Sequence, residues 1–196
     1  TNVISSISMT TDSNNSIHIL YREGYGYPTF DLNYATCSSG CTSASSWSTV
    51  EIDASNTSSY MSKQSIAVDS NNGIHITYGL NGNLTYATCS SSCTSASSWT
   101  NTTVDTGSFN GVGEIALDSN EHLYISYGKG SSFAASKLAY ATCSSSCTSS
   151  SSWTTTTITS VNVVSSISMT TDSNNSIHIL YREGYSSTGY DLNYAT

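Results

Sequence analysis

Aspartate, histidine and cysteine recur at fixed places in this chain, and these are the residue types through which a repeat could bind metal, move protons or crosslink itself. Asp12, Asp69, Asp118 and Asp172 each open a short polar cluster, DSNN or a close variant. An aspartate at a turn start accepts hydrogen bonds from backbone amides two residues on, and asparagine tolerates positive φ, so the cluster predicts hairpin turns first. Calcium is the rival chemistry, because Asp12, Asn14 and Ser16 alternate as in oxygen-rich loops; yet no bidentate glutamate follows at the required distance. His18, His75 and His178 share one position, which Tyr124 takes in the third repetition while His122 lies two residues earlier. A ring of imidazoles could hold a metal, but tyrosine does not replace a neutral imidazole as an ordinary zinc ligand. Packed or hydrogen-bonded histidines are therefore expected, with no metal and no cofactor.

The six cysteines form three CSS(G/S)C pairs: Cys37 with Cys41, Cys89 with Cys93, and Cys143 with Cys147. Structural zinc wants such pairs to meet another pair or histidines, whereas each of these sits alone at the edge of its repeat. An even count in a Ser/Thr-rich chain reads as local disulfides and an extracellular, oxidising compartment. A bridge over so short a loop is expected to clip one hairpin rather than staple repeats together. Catalytic constellations are harder to find. The nucleophile elbow GxSxG is absent. Paired carboxylates for glycoside cleavage must converge on one cleft, but Glu23, Asp31, Glu51, Asp53, Glu114, Glu121, Glu183 and Asp191 fall mostly in outer loops or strand ends. The expectation is a protein that is not an enzyme.

The elements that must position these residues are repeats. Residues 2–25 return at 162–185 with one change, Ile4 to Val164, and two further copies of the pattern lie between. Aligning DSNN(x)IHIxY and YATCSS(x)CTS(x)SSW gives four units, at about 3–53, 54–105, 106–159 and 160–196, within one domain spanning 1–196. In the first, Ile7 and Met9 alternate with polar residues up to the turn, and Ile17, Ile19 and Tyr21 alternate after it, which predicts a hairpin. Leu32, Tyr34 and Thr36 share one face of a third strand, and Trp47 opens a fourth that runs through Asp53. Helical periodicity appears nowhere. Four-stranded units repeated at this period predict an all-β fold, a β-propeller of four blades of four antiparallel strands. The last blade lacks its outer strand, and an open sheet edge invites pairing, so self-association through that blade or through tandem neighbours is expected. The matching end units mark the chain as a candidate segment of a longer tandem array.

The units resemble the tandem propeller-type repeats of secreted and cell-surface proteins of bacteria and archaea, of the form DSxGxxHIxYY followed by LxYAT, over essentially the whole chain. The resemblance implies adhesion, carbohydrate contact or surface assembly. The turn cluster also resembles a degenerate Asp box of sialidase-like propellers, except that Ile17, Ile74, Leu123 and Ile177 replace the closing aromatic. A sialidase-like arginine triad is impossible with Arg22 and Arg182 alone. The variable loops 22–30, 79–83, 128–137 and 182–190 are expected on one side of the propeller, where Tyr25, Tyr27, Phe30, Tyr185 and Tyr190 could stack on sugars or make chain-to-chain contacts. Asn14, Asn56, Asn83, Asn101 and Asn174 begin N-x-S/T sequons and are candidate glycosylation sites.

Composition bounds the rest. Five Lys and Arg stand against thirteen Asp and Glu, for a net charge of −8, and the cations are scattered, so a phosphate backbone is not a partner. No run of apolar residues is long enough to span a bilayer. The first residues carry neither an initiator Met nor a signal pattern, so the chain reads as a mature or excised segment. These features lead to a non-enzymatic extracellular structural protein, a segment of a surface assembly or filament of tandem propellers. A carbohydrate-binding adhesin is the alternative, and a sialidase-like hydrolase the third reading.

Overall fold

The computed structural model describes residues 3–26, 29–53, 63–107, 113–130, 135–159, 164–184, 189 and 191–196. They form four separate antiparallel sheets, each ordered as its strands occur in the chain. The first contains β1 (Val3–Thr11), β2 (Ile17–Gly26), β3 (Thr29–Cys37) and β4 (Ser48–Asp53). The second contains β5 (Ser65–Val68), β6 (Ile74–Leu80), β7 (Asn83–Cys89) and β8 (Thr100–Asp105). The third contains β9 (Glu114–Leu117), β10 (Leu123–Lys129), β11 (Lys137–Cys143) and β12 (Thr154–Thr157). The fourth contains β13 (Val164–Thr171), β14 (Ile177–Glu183) and β15 (Asp191–Ala195). The chain is a β-propeller of four blades, the last of which has three strands among the described residues, as the repeats predict. The innermost strands lie side by side, β1 against β5, β5 against β9 and β9 against β13.

Each blade begins with the same turn. In the first, the Asn15 amide donates to the Asp12 carbonyl at 3.0 Å and the Asp12 amide donates to the Ser16 carbonyl at 3.1 Å, which closes the β1–β2 hairpin. Asn15 takes φ 63°, and Asn72, Glu121 and Asn175 take 65°, 64° and 64° at the matching position, a left-handed conformation that asparagine tolerates better than most residues. The two end blades also share a bulge at Ser6 and Ser166 in their first strands, with φ 52° and 50°.

Alternation along the strands gives every sheet two apolar faces, and the core lies between sheets. Leu20, Leu32 and Tyr34 of blade 1 pack on Ile66, Ile74, Ile76 and Trp99 of blade 2. Leu84, Tyr86 and Val104 of blade 2 pack on Ile115, Leu123, Ile125 and Trp153 of blade 3. Leu138 of blade 3 packs on Ile167, Met169, Ile179 and Tyr181 of blade 4. Each fully buried aliphatic side chain contributes about 1.5–3 kcal/mol through its removal from water. Buried tyrosines tie blades together at their polar ends as well: the Tyr78 hydroxyl donates to Asp53 Oδ2 at 2.9 Å and that of Tyr127 to Asp105 Oδ2 at 2.6 Å, both carboxylates lying on the outer strand of the preceding blade. Among the described residues no helix is long and apolar enough to cross a membrane.

Candidate functional site

The recurrent aspartates serve their turns first. Asp12 Oδ1 accepts from the amides of Asn14 (2.9 Å) and Ser16 (2.7 Å), and Asp69, Asp118 and Asp172 repeat the pair of bonds. Their second oxygens meet the histidines. His75 Nε2 lies 3.1 Å from Asp69 Oδ2 while its Nδ1 lies 2.7 Å from the Tyr86 hydroxyl, forming a chain of three polar groups across β6 and β7. Because the carboxylate only accepts, His75 donates to it from Nε2, which leaves Nδ1 as the ring nitrogen that meets the tyrosine hydroxyl. Blade 4 repeats the chain with Asp172, His178 and Tyr194, whereas in blade 1 His18 Nδ1 lies 2.6 Å from the Tyr34 hydroxyl and its buried Nε2 comes within 3.3 Å of Asp12 Oδ2 without forming a hydrogen bond. In blade 3 His122 Nδ1 reaches Asp118 Oδ2 at 3.0 Å, and the Tyr124 hydroxyl donates to the same oxygen at 3.3 Å. The histidines are thus hydrogen-bonded within their own blades, as expected, and no cluster of three or more metal-ligating side chains occurs among the described residues.

Electrostatics follows from these bonds. Burial works against the charge on Asp12, yet the Ser16 amide and His18 hold its carboxyl below the usual carboxylate range; burial and the amides of His122 and Asn120 set the same contest at Asp118, with the same outcome. Burial, with the nearby Asp69 charge, pushes the Tyr86 phenol up to about 12. Tyr86 is consequently a neutral donor at physiological pH.

All three predicted disulfides are present, Cys37–Cys41, Cys89–Cys93 and Cys143–Cys147, and each closes a loop inside its own blade. What the sequence reading missed is the use made of the clipped loop. A short 3-10 turn follows each (Ala44–Ser46, Ala96–Ser98 and Ser150–Ser152), and the tryptophan after it, one residue ahead of the outer strand, donates from Nε1 to the second cysteine's carbonyl at 2.9–3.1 Å. So fixed, Trp99 meets Tyr34 of the preceding blade edge-on, with ring centroids 5.3 Å apart, and Trp153 meets Tyr86 at 5.2 Å. The clip acts within one hairpin, yet it aims a side chain across the blade boundary. The invariant SSW spacing after each cysteine loop was the available signal.

One groove brings several of these groups to the surface. Between blades 2 and 3, Asp69, His75, Tyr86 and Thr88 face Glu121, Leu123, Ser144, Ser145 and Thr148 around a cavity of about 260 Å³. This is smaller than the roughly 300–1,000 Å³ of pockets that enclose drug-sized ligands, and suits one small polar unit. Leu117, Leu123 and the Cys147 sulfur form its apolar side, and Thr88, Ser144, Ser145 and Thr148 bring hydroxyls beside the already hydrogen-bonded Asp69, His75 and Tyr86. Elsewhere, Asn14, Asn101 and Asn174 are exposed and Asn83 is partly so, its Oδ1 accepting from the Gly107 amide at 3.3 Å; Asn56 lies outside the described residues. Tyr25 and Phe30 belong to β2 and β3, but their side chains, and all of Tyr27, Tyr185 and Tyr190, lie outside the described residues.

The sequence matches no protein-family profile and no curated protein. Solved structures do share the architecture. A sialidase from Streptococcus pneumoniae superposes with a TM-score of 0.65 at 9% identity, covering 99% of this chain and 46% of that one. The lectin of Aleuria aurantia in complex with Fucalpha1-6GlcNAc gives 0.62 at 14% identity, covering 98% and 64%. An alpha-L-arabinanase of Cellvibrio cellulosa with arabinohexaose gives 0.60 at 10% identity, covering 97% and 72%. The chain therefore spans less than two thirds of the sialidase and of the lectin. At such identities the likeness establishes the fold. It also corrects one expectation from the sequence: the chain was set apart from enzymes because no catalytic set was visible, whereas glycoside-cleaving proteins are among the structures that match it, so the exclusion falls. The physical reason is that catalytic sets are defined by convergence in space, and linear spacing does not display such a set.

Proposed function

We propose that this chain is a carbohydrate-contacting β-propeller module of an extracellular protein. The observation that carries the reading is the shared architecture with a sialidase, an arabinanase and a sugar-bound lectin. The groove between blades 2 and 3 supports it, since its small volume and its mixture of hydroxyl, carboxylate and apolar surface match what a single sugar unit presents. Three local disulfides favour an oxidising compartment. The test is a glycan array followed by titration of the best hit, with release of reducing sugar monitored on the same samples. Ser145→Trp, which fills the groove, should lower affinity at least tenfold, while Tyr25→Ala and Tyr185→Ala should leave it within twofold. The reverse pattern would move the site to the aromatic loops, and neither binding nor turnover on any glycan would sink the reading.

A second reading, assembly into a surface filament, draws on a different observation: the outward faces of the end blades carry exposed Ile7, Met9, Leu180, Leu192 and Tyr194. Light scattering of the purified chain over a concentration series checks it: mass that grows with concentration supports the filament, and a monomer removes it and leaves these faces to a different occupant.

A further inference from the structure

Blades 1 and 4 place nearly one sequence in two different environments. Besides the repeat of residues 2–25 at 162–185, Asp31–Thr36 recurs unchanged as 191–196. On the face that points against chain order, Met169 is 8% exposed beneath blade 3, whereas its counterpart Met9 is 65% exposed, and Ile167 and Ile7 differ in the same way. On the opposite face, Leu32 is 1% exposed beneath blade 2 and its counterpart Leu192 is 69% exposed; Leu20 and Tyr34 are likewise buried where Leu180 and Tyr194 are bare. The covered copy of each face therefore identifies the surface that the bare copy fits.

From this we infer that the two uncovered faces are docking surfaces for one two-bladed partner. Its first sheet carries the blade-2 surface and covers blade 4; its second carries the blade-3 surface and covers blade 1. Four blades and these two close a ring of six in the order 1-2-3-1-2-3.

Polar contacts specify the fit beyond apolar area. Against blade 1, the buried Gln64 amide of blade 2 donates to the Ser6 carbonyl, which the β1 bulge turns out of its ladder, and the Ile66 amide donates to Ser8 Oγ at 3.3 Å. At the turns, the Ser13 amide and hydroxyl donate to Asn72 Oδ1 at 3.0 and 2.8 Å. Blade 4 repeats the bulge at Ser166 and presents Ser166, Ser168, Leu180 and Leu192, with Arg182 and the Lys63 and Glu114 side chains of blades 2 and 3 at its inner end, around an open recess of about 550 Å³. A blade-2 surface supplies the glutamine, the asparagine and the tryptophan that meet these groups. A second copy docking head to tail supplies Ile7 where Gln64 stands, an apolar side chain against a carbonyl that needs a donor. At the other end, blade 3 covers blade 4 with the Ser119 amide and hydroxyl donating to Asn175 Oδ1 at 2.9 and 2.7 Å, and Asn15 offers the same acceptor on blade 1.

The experiment extends the chain with a copy of residues 37–159 placed after Thr196, a junction that reproduces the natural Thr36–Cys37 link. The expected product is a monomer in which amides of β1, β14 and β15 exchange at least a hundredfold more slowly than in the 196-residue chain extended by a copy of residues 37–53 alone, which completes only the sheet of blade 4, reaching the protection of β6 and β10. Unchanged exchange at those strands in a folded product overturns the proposal. Sedimentation of the 196-residue chain decides independently of whether the extension folds. A monomer at micromolar concentration is expected, and a stable head-to-tail dimer or polymer that Leu192→Asp dissolves would assign these faces to a second copy. Glycan binding in the groove between blades 2 and 3 is separate from either outcome.

Discussion

At the scale of single residues, the chain spends its polar side chains on holding backbone that the strands leave unpaired. Each aspartate binds two turn amides, Asp69, Asp118 and Asp172 also bind a histidine, and each tryptophan binds the carbonyl of the cysteine six residues before it. The cysteine loops carry one further demand. Gly40, Ser92 and Ser146 all take positive φ, at 62°, 53° and 53°, and for serine that conformation costs roughly 1–2 kcal/mol. Ser92→Gly and Ser146→Gly should each raise unfolding free energy by about 1 kcal/mol, and Gly40→Ser should lower it by a similar amount, as read from urea midpoints. The turn role of aspartate was legible because its partners lie two to four residues away. The tyrosine partner of His18 lies 16 residues on, and strand register alone brings them together, so the Asp, His and Tyr chain could not be read from spacing.

Elements follow from alternation, and this was the most legible level: among the described residues the hairpin turns, the third strands and the three-stranded last sheet all stand where the repeat places them. The 3-10 turns before each tryptophan escaped the reading because three serine or alanine residues have no period to display. Which face of a sheet is covered was equally hidden, since both faces are apolar. A paired substitution makes that difference measurable. Leu20→Ala, beneath blade 2, should cost about 2–5 kcal/mol, and Leu180→Ala, in the matching but uncovered position, under about 1 kcal/mol. Removing one clip by Cys89→Ser with Cys93→Ser should cost about 2 kcal/mol, the modest value expected for so short a loop. The larger effect should be local, as faster proteolysis near residues 90–99 where Trp99 loses its anchor.

For the whole molecule, buried tyrosines make stability depend on alkaline pH. Burial and neighbouring carboxylates raise Tyr34, Tyr78, Tyr86 and Tyr127 above the usual phenol value, and Tyr86 reaches about 12. A phenol raised in the folded state favours folding fully below its unfolded value near 10, and that contribution is lost as pH climbs through the folded value. Denaturant midpoints should therefore hold to about pH 10 and fall steeply toward pH 12, together with the absorbance change of tyrosinate. The three tryptophans add a property of a different kind. Trp99 and Trp153 are buried against a tyrosine of the blade before them, while Trp47, at the same place in blade 1, is more exposed. One fluorophore of three thus reports on the vacant end of the ring: with Trp99→Phe and Trp153→Phe in place, its emission should move to the blue when a blade arrives, giving the molecule an optical gauge of its own completion.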